Sequence, residues 1–258
     1  MPSLAPCCGP PSPLQLLCLG AGESGKSTII KQLVFLHKQS VVSEEEKQAY
    51  VRVLHGNVLT CINTLIKESI DFGYQMSPEH KHDVAVIEAF DSRQLLTPDV
   101  VQAIDNLWTS CAAIASTWDR RAEFWILEGC VYYFQHMHRF IEEDYSPTEE
   151  DIVAARKRTT GVVETSLKYG NVAWSVVDVG GQRSERRKWL NCFDNTKGIL
   201  YVVNLAGFCS VLFEDRSGHG RAIAQRRHYK AESHGGLTAR WLRGGNVAAE
   251  CGNDVIAA

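Results

Sequence analysis

The order of patterns along the 258-residue chain predicts an α/β fold, a sheet interrupted by an inserted all-helical domain. Three observations carry this prediction. A short apolar run at residues 14–20 enters a glycine-rich loop and then a helical segment. Residues 40–155 switch to helical periodicity with readable starts. After them come a strand hairpin, a short helix and one more apolar strand.

Each element has a local reason. Residues 1–13 read as a disordered leader, because their prolines break any helix. "LQLLCLG" (14–20) ends in glycine, as a buried strand feeding a turn should, and "KSTIIKQLVFLH" (26–37) has helical character. Ser43 with Glu46 forms a capping box, and Tyr50, Leu54, Val58, Cys61 and Leu65 then mark one apolar face. Ser77-Pro78 and Thr97-Pro98 each place a cap residue before a proline at the first helical position. "RAEFWILEGCVYYFQHMHRFIEE" (121–143) predicts another long helix, whose Trp125, Tyr132, Tyr133 and Phe134 read as helix packing. Thr148 caps a short helix, "EEDIVAAR". "VVETSLKYGNVAWSVVDVGG" predicts a hairpin with a Gly-Asn turn at 170–171. "RRKWLNCF" (186–193) is expected to be helical and "GILYVVNL" (198–205) a strand. From Ser217 onward the chain is rich in Gly, Arg and Ala with little periodicity, and no strand is expected there. The expected division is a leader at 1–13, an α/β domain from 14–39 and 156–216, a helical insertion at 40–155, and an atypical, disordered tail at 217–258.

Composition narrows the function classes. Hydrophobic residues at 45% and charged residues at 22% suit a soluble globular protein, and a net charge of -3 argues against a general nucleic-acid binder. No apolar stretch approaches the roughly 20 residues of a membrane helix. Nine cysteines without metal-type spacing suit reduced thiols in the cytoplasm. Cys7 and Cys8 could be acylated or could be two plain thiols in the leader, while Pro2 excludes N-myristoylation. The His pairs at 80/82 and 136/138 have a spacing that points imidazoles apart on a helix, which does not suit a metal site.

Three segments carry chemistry. The loop "GAGESGKST" fits G-x-x-x-x-G-K-[ST] with Gly20, Gly25, Lys26 and Ser27. Its glycines let backbone N–H groups converge on phosphate oxygens, and the following helix adds its positive end. Lys26 would reach the β- and γ-phosphates and the Ser27 hydroxyl would ligate Mg²⁺. "DVGGQ" (178–182) offers a carboxylate at a strand end that can hold Mg²⁺ through water, a Gly181 N–H for the γ-phosphate, and Gln182 to orient an attacking water. "RKRTTG" (156–161) offers Thr159 as a second hydroxyl for Mg²⁺ and Arg156 as a guanidinium for developing charge. A basic linker at a domain junction is the alternative reading of that segment.

Together, "GAGESGKST", "RKRTTG" and "DVGGQRSERRKW" resemble the alpha subunit of heterotrimeric G proteins, and "FEDRS" resembles the region after that family's fourth main strand. The resemblance covers roughly residues 14–217. It implies a P-loop, Ras-like GTPase sheet with an inserted helical domain, binding GTP or GDP with Mg²⁺ and switching in receptor-coupled signal transduction. By that resemblance Arg156 is a built-in arginine finger and Gln182 the catalytic glutamine, the two catalytic residues. Ser27 and Thr159 are Mg²⁺ ligands, with Asp178 acting through water. Glu23 would pair with Arg156. The nucleotide would lie against Gly22, Glu23, Ser24, Gly25, Lys26, Ser27 and Thr28, against Val153, Ala154, Ala155, Arg156, Lys157, Arg158 and Thr159, and against Asp178, Val179, Gly180, Gly181 and Gln182. Residues 183–190 would meet a beta-gamma dimer; a G-protein-coupled receptor and effectors follow from the family, and no nucleic acid does. The resemblance also implies a cytoplasmic protein, peripheral on the inner face of the plasma membrane.

The chain also departs from the family's pattern. No N-K-x-D follows "GILYVVNL", so guanine preference rests on the resemblance. "EGC" (128–130) stands where the family has an acidic-serine pair near the nucleotide. The N-terminal helix that grips beta-gamma and the C-terminal helix that engages receptors have no counterpart, so the chain is expected to be truncated after the fourth main strand, leaving "GILYVVNL" as an apolar edge. Two competing readings remain at the level of sequence. One is a non-catalytic protein that binds beta-gamma or an effector, or a non-functional fragment; the other is a P-loop protein that uses ATP.

Overall fold

The computed structural model describes residues 13–37, 42–215, 238–241, 247–251 and 254–257. The chain divides into two units, Met1–Arg216 and Ser217–Ala258. The leader, with Cys7 and Cys8, lies outside the described residues.

In the first unit, β1 (Leu14–Leu19) leads through the glycine-rich loop into α1 (Lys26–Leu36). The helical run follows as α2 (Glu44–Asp71), α3 (His80–Ala89), α4 (Pro98–Ser110), α5 (Ala112–Asp119), α6 (Cys130–Phe140) and α7 (Glu149–Ala154). Then come β2 (Val162–Tyr169), β3 (Val172–Val179), a 3-10 helix at Arg186–Cys192 and β4 (Thr196–Tyr201). The sheet order is β2-β3-β1-β4, with β1 parallel to both β3 and β4, and β2 antiparallel to β3. This is the mixed sheet with helical insertion that the sequence predicts.

The capping signals at Ser43 and Thr148 act locally, as expected. Ser43 Oγ accepts from the Glu46 N–H at 3.2 Å while Glu46 Oε2 accepts from the Ser43 N–H at 3.0 Å, closing the box that starts α2. Thr148 and Asp151 form a second box at α7. Thr97 precedes Pro98 at the start of α4, whereas α3 begins at His80, two residues after Pro78, because a turn closed by His80 N–H to Ser77 O comes first. Gly170, at φ 59, supplies the left-handed turn that pairs Tyr169 with Val172.

The helices bury a core of their own. Leu54, Val58, Cys61 and Leu65 on α2 are fully buried and pack with Ile104 and Leu107 of α4, Ile114 of α5 and Met137 of α6. Each such side chain contributes about 1.5–3 kcal/mol through burial. His55 stitches this core: its Nδ1 accepts from the Leu96 N–H at 2.8 Å and its Nε2 donates to Phe140 O at 3.0 Å, and burial holds its pKa below the ordinary histidine value. Separate, smaller apolar clusters lie on the two sides of the sheet, one around Leu17, Val177 and Val179, the other around Cys18, Ile30 and Val176.

Four expectations are corrected. The helix expected over 121–143 forms only at Cys130–Phe140. Residues 121–129 leave the helix because Phe124 and Leu127 turn into the core while the Trp125 ring N–H reaches Glu23. The helix expected at 186–193 is a 3-10 helix, with the Trp189 ring N–H donating to Gly180 O at 2.9 Å. The strand expected over 198–205 runs instead over Thr196–Tyr201. Beyond its end, Val202 N–H still donates to Leu19 O at 2.8 Å, and the Asn204 side chain then donates to Glu128 Oε1 at 2.7 Å and accepts from the Gly207 N–H at 3.0 Å. Finally, the tail expected to hold no strand contains β5 (Thr238–Trp241), β6 (Val247–Cys251) and β7 (Asp254–Ala257), an antiparallel sheet in the order β5-β6-β7.

Candidate functional site

A polar cleft opens at the ends of β1 and β3 that lead into the glycine loop and the 180–182 turn. The loop's shape comes from its backbone. Gly25, at φ 91, caps α1 in a conformation that favours glycine, and at Gly20 a Cβ would stand 2.3 Å from Val202 O. Glu23 is left-handed at φ 64 without being glycine. Three contacts hold its carboxylate: Oε1 accepts from the Trp125 ring N–H at 2.8 Å and lies 3.7 Å from Arg156 Nη2, and Oε2 accepts from the Phe213 N–H at 3.2 Å. A strained residue kept in place by convergent contacts is common at a functional loop.

Lys26 is buried beneath the loop and donates to Gly20 O at 2.9 Å, Ala21 O at 2.7 Å and Ser24 Oγ at 3.4 Å. Burial lowers its pKa, with Asp178 opposing. The ammonium is therefore aimed at acceptor oxygens at the mouth of α1, where unpaired helix N–H groups add to the positive field.

Beside it, three oxygens from three segments converge. Ser27 Oγ donates to Asp178 Oδ2 at 2.5 Å and lies 2.7 Å from Thr159 Oγ1, which itself donates to Asp178 Oδ2 at 3.3 Å. Asp178 Oδ1 is buried and has no hydrogen-bond partner among the described residues. Two hydroxyls and a carboxylate with an unused buried oxygen form a donor set that suits a small, hard divalent cation.

The sequence-predicted residues separate into two groups. Gly22–Thr28, Arg156, Arg158, Thr159, Val179, Gly181 and Gln182 line the cleft. Asp178 reaches it through Ser27, and Gly180 sits behind, its carbonyl taken by Trp189. Val153, Ala154 and Ala155 are not in the lining: they close α7, where Ala155 is buried in the helical core, and Lys157 faces outward. Gln182 Oε1 accepts a short hydrogen bond from Arg158 Nη2, and the Arg158 guanidinium stacks 4.8 Å from the Phe213 ring.

Several contributors escaped the sequence reading. Trp125 packs against the helical core as expected, but from outside the helix, and its ring N–H also reaches Glu23 of the phosphate loop. Asn57 and Lys31 hold the backbone around Arg156. A polar residue beside the Leu54–Val58 face of α2 was the available signal for Asn57; Phe213 stood only within the "FEDRS" resemblance, and Lys31 left no signal. The histidines do local work: His80 Nδ1 lies 3.3 Å from Asp83, and His138 Nε2 lies 3.8 Å from Asp105.

Comparison with known proteins bears on the whole of this arrangement. The family described as "G-protein alpha subunit" matches residues 10–227. The guanine nucleotide-binding protein alpha-8 subunit of Dictyostelium discoideum is 42% identical over 211 residues, covering 79% of this chain and 51% of that protein. The G(o) subunit alpha of Geodia cydonium is 39% identical over 207 residues, covering 78% and 57%. The alpha-3 subunit of Neurospora crassa is 36% identical over 209 residues, covering 79% and 58%. The chain thus spans between 51% and 58% of the length of these relatives.

Proposed function

Since the chain belongs to the G-protein alpha subunit family, we propose that it binds GTP and GDP with Mg²⁺ and hydrolyses GTP as a switch in receptor-coupled signal transduction. The observation that carries this reading is the convergence of Ser27, Thr159 and Asp178 beside the Lys26 cradle. Ser27 and Thr159 would hold Mg²⁺ directly and Asp178 through water; the ion would supply neutralisation of phosphate charge. Lys26 would exchange its loop carbonyls for phosphate oxygens. Gln182, freed from Arg158, would orient the attacking water, and Arg156 would balance the charge that develops on the transferring group. Glu23 holds Arg156 at the cleft rim, where its side chain is 33% exposed and able to swing inward.

The partner reading rests on the 183–190 segment. Its Leu190 is 76% exposed on the 3-10 helix, an apolar group offered to a beta-gamma dimer or an effector. Receptor coupling and a place at the inner face of the plasma membrane follow from the family alone. That same exposed segment favours, as a second reading, a protein that binds partners without turning over nucleotide.

Phosphate release from GTP, with ATP as competitor, separates these readings. A Gln182→Leu variant is expected to lose about 100-fold or more of the rate, the scale set by positioning and electrostatic effects at such sites. Equal rates would remove Gln182 from the chemistry and leave the partner-binding reading. Displacement of GTP by ATP at comparable concentration would make the site a general nucleoside triphosphate site.

A further inference from the structure

Arg156 stands on a segment that is neither helix nor strand, between α7 and β2, so nothing in regular secondary structure sets its direction. Its Cα–Cβ bond is aimed by the two peptide groups on either side, and three hydrogen bonds hold those groups. The Ala155 carbonyl accepts from Lys31 Nζ at 2.8 Å. On the other edge of that same peptide, the Arg156 N–H donates to Asn57 Oδ1 at 2.8 Å. The next peptide is held as well, because Asn57 Nδ2 donates to the Arg156 carbonyl at 3.0 Å. A primary amide carries a donor and an acceptor side by side, so Asn57 pairs with Arg156 as a neighbouring strand would.

The position is unusual for asparagine. It lies in the interior of α2, is only 8% exposed, and adjoins the fully buried Val58. Asparagine is a poor helix former because its side chain competes for nearby backbone groups. Here that side chain is committed to a residue 99 positions away. A leucine or alanine would serve helix and core better, so packing does not account for the choice.

We infer that Asn57 is a positioning residue for Arg156: it clamps the arginine's backbone from the helical insertion and so aims the guanidinium at the cleft. This rests on the reading of Arg156 as the group that balances charge during GTP hydrolysis. Lys31 is the second support, fixing the preceding carbonyl from α1. Asn57 does not line the cleft, so it acts on the rate through Arg156 and leaves ligand binding to the loop.

The test uses the full chain and four variants: Asn57→Ala, Asn57→Asp, Arg156→Ala and the double Asn57→Ala/Arg156→Ala. Single-turnover GTP hydrolysis, GTP affinity and amide hydrogen exchange are measured on each. Asn57→Ala is expected to slow hydrolysis about tenfold to 100-fold, the scale of a misplaced catalytic group, with affinity changed less than about threefold. It should add no loss to the Arg156→Ala background. Exchange at the Arg156 amide should rise in Asn57→Ala and stay slow in Asn57→Asp, which keeps the acceptor and nearly the same shape. An equal loss in both backgrounds, an unchanged Asn57→Ala rate, or an unaltered Arg156 amide would each overturn the proposal. If Arg156→Ala hydrolyses at the unsubstituted rate while the Arg156 amide responds to Asn57→Ala, the reading of Arg156 has failed although the clamp exists; the positioning role then falls with it.

Discussion

Gly181 shows how little tolerance a single position in this cleft has. A Cβ there would stand 2.4 Å from Ala21 O, 2.4 Å from Lys26 Nζ and 2.5 Å from Gly20 O. Two of those atoms are backbone of the phosphate loop and cannot rotate away. Gly181→Ala must therefore push the 180–182 turn and the loop apart, an overpacking that costs about 1–3 kcal/mol. On the proposed function it should weaken binding of a non-hydrolysable GTP analogue about tenfold or more, measured by titration calorimetry. The far-ultraviolet circular dichroism should stay that of the unsubstituted chain, since the strain falls on the loop. Glu23 is the complementary case, a left-handed residue whose carboxylate is shared among Trp125, Arg156 and the Phe213 N–H. Glycine would relax its backbone and discard all three contacts.

The short, six-residue helix α7 is anchored by one of its own carboxylates. Asp151 is fully buried; it closes the capping box with Thr148, takes two hydrogen bonds from Arg139 at 2.7 and 3.0 Å, and one from the Tyr132 hydroxyl at 2.6 Å. Burial alone would raise its pKa, but the Tyr132, Thr148 and Arg139 donors outweigh burial and bring it down to about 2. Because the folded value is depressed, the stabilisation is full above the unfolded value of 3.8 and is lost as pH falls from there through about 2. The contribution at neutral pH is about 2 kcal/mol. Urea unfolding of Asp151→Asn should show a loss of that order at pH 7. Between pH 4 and 2 its stability should fall less steeply than that of the unsubstituted chain. The element matters for the site because α7 ends at Ala154, immediately before the clamped segment that carries Arg156.

Across the first unit, the sheet ends on β4, whose outer edge pairs with no strand among the described residues. Ile199 and Tyr201 on that strand are 53% and 61% exposed, and Val203 and Leu205 beyond it are 61% and 85% exposed. An apolar strand with free N–H and C=O groups is a template for pairing with another chain. Sedimentation velocity should therefore show association that grows with protein concentration. Replacing Ile199 and Tyr201 by lysine should reduce it, since charge on an edge opposes pairing. A monomer at all concentrations would show that the edge is covered.

Much of this architecture was readable because its causes are local. The phosphate loop announces itself through glycines needed for backbone reasons, the start of α2 through a capping box four residues long, the start of α7 through the cap residue Thr148, and the β2–β3 hairpin through its Gly-Asn turn. The face of α2 follows from helical spacing that any amphipathic segment would show. Where distant segments compete with local preference, the reading of the chain failed. Residues 121–129 carry helical spacing, yet Trp125 is drawn to Glu23, 102 residues away, and the helix begins only at Cys130. The apolar run after Tyr201 was equally good strand material, but the Asn204 side chain bonds to Glu128 instead. The residues of the cleft could be listed from their motifs, whereas the supports behind Arg156 could not. A motif records what a ligand needs within a few residues; a clamp such as Asn57 on Arg156 exists only once folding has brought α2 against the end of α7, and no pattern in either segment encodes the distance between them.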